Sequence, residues 1–268
     1  MLNKNRLMRL ALFLILAFMV SGCAKYWQVQ SSFNTAAKAD TELAMGKTDQ
    51  TLEKEGVLAM YKGIAETLTN TFIENQDKKL WANAYTIRAM CQVRTKRFDG
   101  AYESVEKGDA CEIKWPRDTF LLGILKAQVF SGLAVQRYKD NGEKVSLADY
   151  GIVEADGVLG FSDPAEKGAP STYRALFKKS MDSFGTTLAL GSPPPDIKDY
   201  LYYQKYLALH NWLRISTRVA DESDLELTQK ARTLAVTDTG DLWVAMESAR
   251  ESIAPGSYLH GLIESLPQ

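Results

Sequence analysis

The chain has 268 residues, 46% hydrophobic, 10% aromatic and 24% charged, with 32 basic against 33 acidic side chains. This is globular composition, which argues against intrinsic disorder. A near-neutral chain with no basic block also argues against binding to nucleic acid, or to anionic lipid by charge alone.

Lys4, Arg6 and Arg9 open the chain, and an apolar run follows from Leu10 to Val20. That run is too short to span a bilayer, which takes roughly 20 apolar residues. A basic start, a short apolar run and small residues make the layout of a removable export signal over residues 1–22. Its end, Val20-Ser21-Gly22-Cys23, resembles the bacterial lipobox. The resemblance implies that the Cys23 thiol is lipidated, that the chain is cut before it, and that the new amino terminus is acylated. Three acyl chains anchor firmly where one holds only marginally. Ala24 follows, where Asp would favour retention in the inner membrane; this implies the bacterial outer membrane, with the domain facing the periplasm. Loss of Lys4, Arg6 and Arg9 leaves the mature chain more acidic. Tyr26 and Trp27 come next, and such rings either sit at headgroup level or pack on the first helix.

Helical periodicity dominates from Tyr26 to Leu266, and strand-type alternation is almost absent. The expected fold is therefore all-α. Residues 28–46 read as a helix through Phe33, Ala36, Ala37, Leu43 and Ala44, ending at Gly46. Thr51 to Asn75 reads as one helix, with apolar residues from Leu52 to Phe72 at three- and four-residue steps. Asp77 caps the next, to about Lys96. A short partner runs from Phe98 to Lys107 and stops at Gly108. Pro116 suits the first turn of another helix and Asp118 its positive end. That helix continues to about Tyr138 and is apolar almost all round, which predicts a central, buried position.

The pattern breaks over residues 139–170, where five glycines and two prolines separate scattered apolar residues. Asp156-Gly157, between Ile152-Val153 and Val158-Leu159, is a two-residue hairpin signal. A long stretch without helix is expected to be a surface excursion, an interdomain linker or a partner-binding lid. Helix returns over Ser171–Leu190 and, after Gly191-Ser192-Pro193-Pro194-Pro195, over Asp196–Ala220. Shorter helices are expected at Ser223–Val236, Asp241–Ile253 and Tyr258–Leu266. The predicted organisation is thus an export signal (1–22), an N-terminal helical half (23–138), the loop (139–170) and a C-terminal helical half (171–268).

Short turns between helices give antiparallel pairs. Residues 80–108, LWANAYTIRAMCQVRTKRFDGAYESVEKG, resemble a tetratricopeptide repeat in Tyr85 and Ala89 of the first helix, Phe98-Asp99-Gly100-Ala101 opening the second, and Val105 and Gly108 beyond. Phe177, Ser180, Phe184 and Thr187, followed by Gly191 and Pro193, resemble a second half-repeat. The expected architecture is a superhelix of such pairs or an irregular helical bundle, since solenoids need three or more repeats.

No chemistry stands out. His210 and His260 have no second ligand at metal spacing; there is no HExxH, no paired cysteines, no phosphate-binding Gly-rich loop and no Gly-x-Ser-x-Gly. Cys91 and Cys111 lie on separate predicted segments and read as free thiols, although an oxidising periplasm permits a disulfide. Neither metal nor cofactor is expected. The aromatic run DYLYYQKYLALHNW, residues 199–212, is the candidate site: Tyr200, Tyr203, Tyr206, His210 and Trp212 on one helix suit a groove for a partner or ligand, or the packing of a long core helix. The expectation is a non-catalytic outer-membrane lipoprotein, held by acylated Cys23, that binds a protein partner in an envelope assembly. A looser resemblance in anchor, length and helical character to the T-component lipoproteins of TRAP transporters implies instead a solute groove and homo-oligomers. A cell-wall hydrolase using a glutamate is the remaining alternative.

Overall fold

A computed structural model describes residues 24–43, 54–162, 170–221 and 223–266. The expected export signal, the lipobox-like stretch with Cys23, and the expected helix end at Gly46 lie outside these residues. The fold is all-α, apart from one two-stranded antiparallel sheet and a single isolated bridge. The chain forms two compact units, Met1–Trp115 and Pro116–Gln268.

The first unit contains α1 (residues 24–43), α2 (Lys54–Thr67), α3 (Asn70–Glu74), α4 (Lys78–Arg94) and α5 (Phe98–Asp109). Its core joins Tyr26, Val29, Ala36 and Ala39 of α1, Val57, Tyr61 and Ile64 of α2, and Ala84, Tyr85, Ile87 and Cys91 of α4. The single helix expected over 51–75 is broken. Thr69 turns extended at φ −66°, ψ 160° and its hydroxyl caps α3 by accepting from the Phe72 amide. The break frees the Leu68 carbonyl, and buried Arg88 takes it up: its guanidinium donates to Leu68 O at 3.2 Å, Asn70 Oδ1 at 2.7 Å and Ser104 Oγ at 2.7 Å. A buried guanidinium is tolerated only when its donors are satisfied in this way.

Asp77 caps α4 through the Lys79 amide at 2.9 Å, as its position predicts. The helix ends in a Schellman motif: Arg97 N donates to Gln92 O and Lys96 N to Val93 O, with Lys96 left-handed at φ 58°. The turn sends α5 back along α4. Ala89 and Ala101 are fully buried in this pair, and a side chain at Gly100 would meet the Gln92 amide nitrogen at 2.8 Å.

The second unit runs through α6 (Pro116–Asp140), α7 (Leu147–Tyr150), β1 (Ile152–Ala155), β2 (Val158–Phe161), α8 (Tyr173–Ala189), α9 (Pro195–Ser216), α10 (Leu225–Asp238), α11 (Leu242–Glu251) and α12 (Tyr258–Glu264). The sequence pattern grouped α6 with the N-terminal half; its contacts are with α8 and α9. Among the described residues α6 is the one helix long and apolar enough to cross a bilayer, and most of that apolar stretch is buried inside this unit. Phe120, Ile124 and Ala127 of α6 form a core with Phe184 of α8 and Ile197, Leu201 and Ala208 of α9. Small residues set the α6–α8 distance: a Cβ at Gly123 would lie 2.1 Å from Thr187 Oγ1, and Ser180 Oγ donates to Ala127 O at 2.9 Å.

The expected loop over 139–170 is folded through residue 162. Ser146 caps α7, and Gly151 ends it at φ 99°. Asp156 (φ 52°) and Gly157 (φ 75°) make the tight turn their dipeptide predicts. The ribbon closes with Ile152 opposite Phe161. A two-stranded ribbon is marginal alone, and this one is held at its open end. Ala220 N donates to Val145 O at 3.0 Å, and Phe161 lies under the Arg174 guanidinium, 3.9 Å from its ring centroid.

Candidate functional site

The α9 aromatics point in several directions. Trp212 is in the core, 5% exposed. Its ring stacks on Phe177 at 5.7 Å with planes 6° apart, and its indole N–H donates to Tyr150 Oη at 3.1 Å. The Tyr150 and Ser216 hydroxyls lie 2.9 Å apart. Burial pushes the Tyr150 phenol upward from its ordinary value. Beside this knot Arg174 and Asp238 form a buried two-pronged ion pair at 2.7 and 3.0 Å. The other four residues are half-buried. Tyr200 packs on the α6–α9 core and its hydroxyl accepts from Gln128 Nε2 at 2.9 Å. Tyr206 stacks on His210, centroids 6.4 Å apart. Burial raises the Tyr206 phenol, and Glu247 of α11 adds to the rise.

Helix α9 touches α6, α8, α10, α11 and α12. A helix with neighbours on so many sides needs large side chains around most of its circumference. Tyrosine suits the margins, where the ring is covered and the hydroxyl reaches a polar partner or water. The aromatic run is the hub of a bundle, with Trp212 in the core and Tyr200, Tyr203, Tyr206 and His210 half-buried at its margins.

An opening does exist in the first unit. A cleft of about 390 Å³ is bounded by Glu74 of α3, Lys78, Trp81 and Tyr85 of α4, Lys107 of α5, and the segment from Ala110 to Ile113. Trp81 and Tyr85 lie four apart on one face of α4, and both line the cleft. Both are fixed from outside the cleft: Trp81 Nε1 donates to Gln76 O at 3.1 Å, and the Arg88 guanidinium sits 5.5 Å from the Tyr85 ring centroid. Lys78 Nζ lies 5.9 Å from the Trp81 ring centroid.

Burial pushes the Tyr85 phenol upward, Lys107 opposes the shift and Glu74 reinforces it. Lys107 is itself paired with Glu103 at 2.9 Å, which lowers the Glu103 carboxyl. The Cys111 thiol donates to Lys107 O at 3.3 Å and is pushed upward by burial. It is therefore protonated at neutral pH, and a thiol is a weak nucleophile in that form. Ile113 is 41% exposed at the edge. The arrangement is an aromatic and aliphatic floor with two lysines and two glutamates around it. It suits an apolar side chain flanked by charges of either sign.

Trp81 and Tyr85 read from the sequence as one face of a packed helix, and their periodicity gives no sign that a cleft opens there. The only cue was a Trp, a Tyr and a Lys sharing that face. Cys91 and Cys111 are both free, the first fully buried and the second half-buried. His260 lies 3.4 Å from Glu264 on its own helix, and no group of three or more metal-ligating side chains occurs among the described residues. No family model, curated protein or solved structure matches this chain.

Proposed function

We propose that this chain is a non-catalytic lipoprotein of the bacterial outer membrane, anchored through acylated Cys23, whose first unit holds a segment of an envelope protein in the Trp81–Tyr85 cleft. The observation that carries this reading is the pairing of two braced aromatic rings with an exposed Ile113 and a rim of both charges. Aromatic anchors in a partly dry pocket with a polar margin are what peptide-binding surfaces use. The α4–α5 hairpin that carries them is also the stretch that resembles a tetratricopeptide repeat, and repeats of that kind bind peptides along such helical faces.

The test is site-directed photo-crosslinking in cells, with the reactive residue placed at Lys78, at Ile113 and, as a control in the second unit, at Lys230. A discrete protein adduct at the two cleft positions, absent at the control and lost when Trp81→Ala is added, is the expected result. Adducts of equal yield at all three positions refute the cleft as the site. A homo-oligomer carrying a small molecule, with no protein adduct, refutes the protein-binding reading and favours a solute-binding lipoprotein.

A further inference from the structure

Helix α1 is described from residue 24, the residue that follows Cys23 in the sequence. Its first turn presents Tyr26 and Trp27 oppositely. Tyr26 is 1% exposed, in the core, with its hydroxyl donating to Asn83 Oδ1 at 2.5 Å. Trp27 is 60% exposed. It is the one large apolar side chain on a face that otherwise carries Lys25, Gln28, Ser31, Asn34, Thr35, Lys38 and Thr41, all exposed. Its ring meets that of Tyr26 edge-on, centroids 6.4 Å apart, and leaves most of its surface exposed.

We infer that Trp27 seats the first unit on the bilayer, its indole lying among the lipid headgroups around acylated Cys23. The inference rests on the lipoprotein reading proposed above. From residue 24 to Trp27 the helix advances by about 4.5 Å. The interfacial layer on each side of the hydrocarbon is about 5–8 Å thick. An indole four residues from an acyl chain rooted at the hydrocarbon edge therefore falls within that layer, where tryptophan is favoured for its flat apolar ring and single N–H donor. The polar remainder of this face limits the contact to the first turn. Lys25, exposed in the same turn, reaches lipid phosphates from there.

The experiment uses the full-length protein made in a lipidating host and reconstituted into phosphatidylethanolamine–phosphatidylglycerol vesicles containing brominated lipid. Intact mass reports the acyl chains independently of the ring. The chain has five tryptophans, so the contribution of Trp27 is read as the difference between wild type and Trp27→Phe, with circular dichroism confirming that both fold. The expected result is an acylated protein in which a component of the emission is quenched by brominated lipid and shielded from aqueous iodide, and this component is lost in Trp27→Phe. An acylated protein whose Trp27 component is open to iodide and untouched by brominated lipid overturns the inference and leaves the lipoprotein reading standing. Shielding from iodide without quenching by lipid also overturns it and assigns the ring to a second protein surface. A protein carrying no acyl chain overturns the lipoprotein reading and this inference together.

Discussion

Replacing Gly123 by Ala sets two effects against each other. Inside a helix the change gains up to about 1 kcal/mol from propensity alone. Against α8, however, the new methyl would lie 2.1 Å from Thr187 Oγ1 and 3.2 Å from both Cβ and Cγ2 of that residue. Thr187 cannot swing away freely. It is 1% exposed, and its hydroxyl donates to Ser183 O at 2.7 Å, a bond that leaving this χ1 rotamer strains or breaks. The helices must part, loosening the contact in which Ser180 bonds to the Ala127 carbonyl. Overpacking of this kind costs about 1–3 kcal/mol, so Gly123→Ala should destabilise by a net of up to about 2 kcal/mol. The control is the same substitution at Gly63 in α2 or Gly185 in α8, where a Cβ meets nothing within 4 Å; there it should stabilise by about 0.5–1 kcal/mol. In a Thr187→Ala background Gly123→Ala should become neutral or better, a coupling of about 1–3 kcal/mol. Urea unfolding followed by circular dichroism measures all of these, read as midpoint shifts at constant slope. If Gly123→Ala stabilises as Gly63→Ala does, or if Thr187→Ala gives no rescue, the close-approach account of the α6–α8 contact is wrong.

Arg174→Ala should cost about 3–5 kcal/mol, because it leaves the buried Asp238 carboxylate without its partner; proteolysis should then reach the ribbon at residues 152–161, and a loss under about 1 kcal/mol in urea would contradict the clamp. Lys96→Gly should stabilise by about 0.5–1 kcal/mol, since Lys96 closes α4 at φ 58°, where a side chain is strained; an unchanged or lower midpoint would show that the turn carries no such strain. Cys91 is fully buried and its thiol is pushed from 9.0 to about 12. The neutral thiol is the form the fold favours, so its contribution is complete below about pH 9 and is lost as pH rises towards about 12. Cys91→Ala should remove that part of the alkaline decline, and at pH 8 a thiol reagent should modify Cys111 in the native protein but Cys91 only on unfolding.

Helix positions were legible because they are local. Asp77 as a cap, Pro116 in a first turn and the Asp156-Gly157 hairpin each depend on residues a few places apart. What escaped the sequence depends on distant partners. The break at Leu68–Thr69 interrupts an apolar pattern that runs on through Phe72, and it is stabilised by Arg88, a residue of another helix. The stretch from 139 looks unstructured because its turn-rich composition conceals three anchors: Tyr150 under Trp212, Phe161 under Arg174, and Val145 beside Val219. The aromatic density of α9 was visible, but choosing between core and groove required knowing how many helices surround it. The cleft was least legible, since its opening depends on the path of residues 110–113 after α5 has ended.

Helix α1 and the cleft helix α4 share one core. Tyr26, in the first turn of α1, bonds to Asn83, which lies on α4 between Trp81 and Tyr85. Ile87 and Cys91 continue the α4 side of the same cluster, and Ala36 and Ala39 the α1 side. On the proposed reading, the helix that leaves the lipid is thus bonded directly to the helix that receives the partner. A cleft carried in this way stays at a fixed height above the membrane and meets only partners that present their segment at that height. Confinement to a surface raises the effective concentration of an anchored partner without any new contact. A modest, largely apolar cleft can then act in an assembly whose other members are membrane-bound, and it would bind the same segment weakly once either side was released into solution.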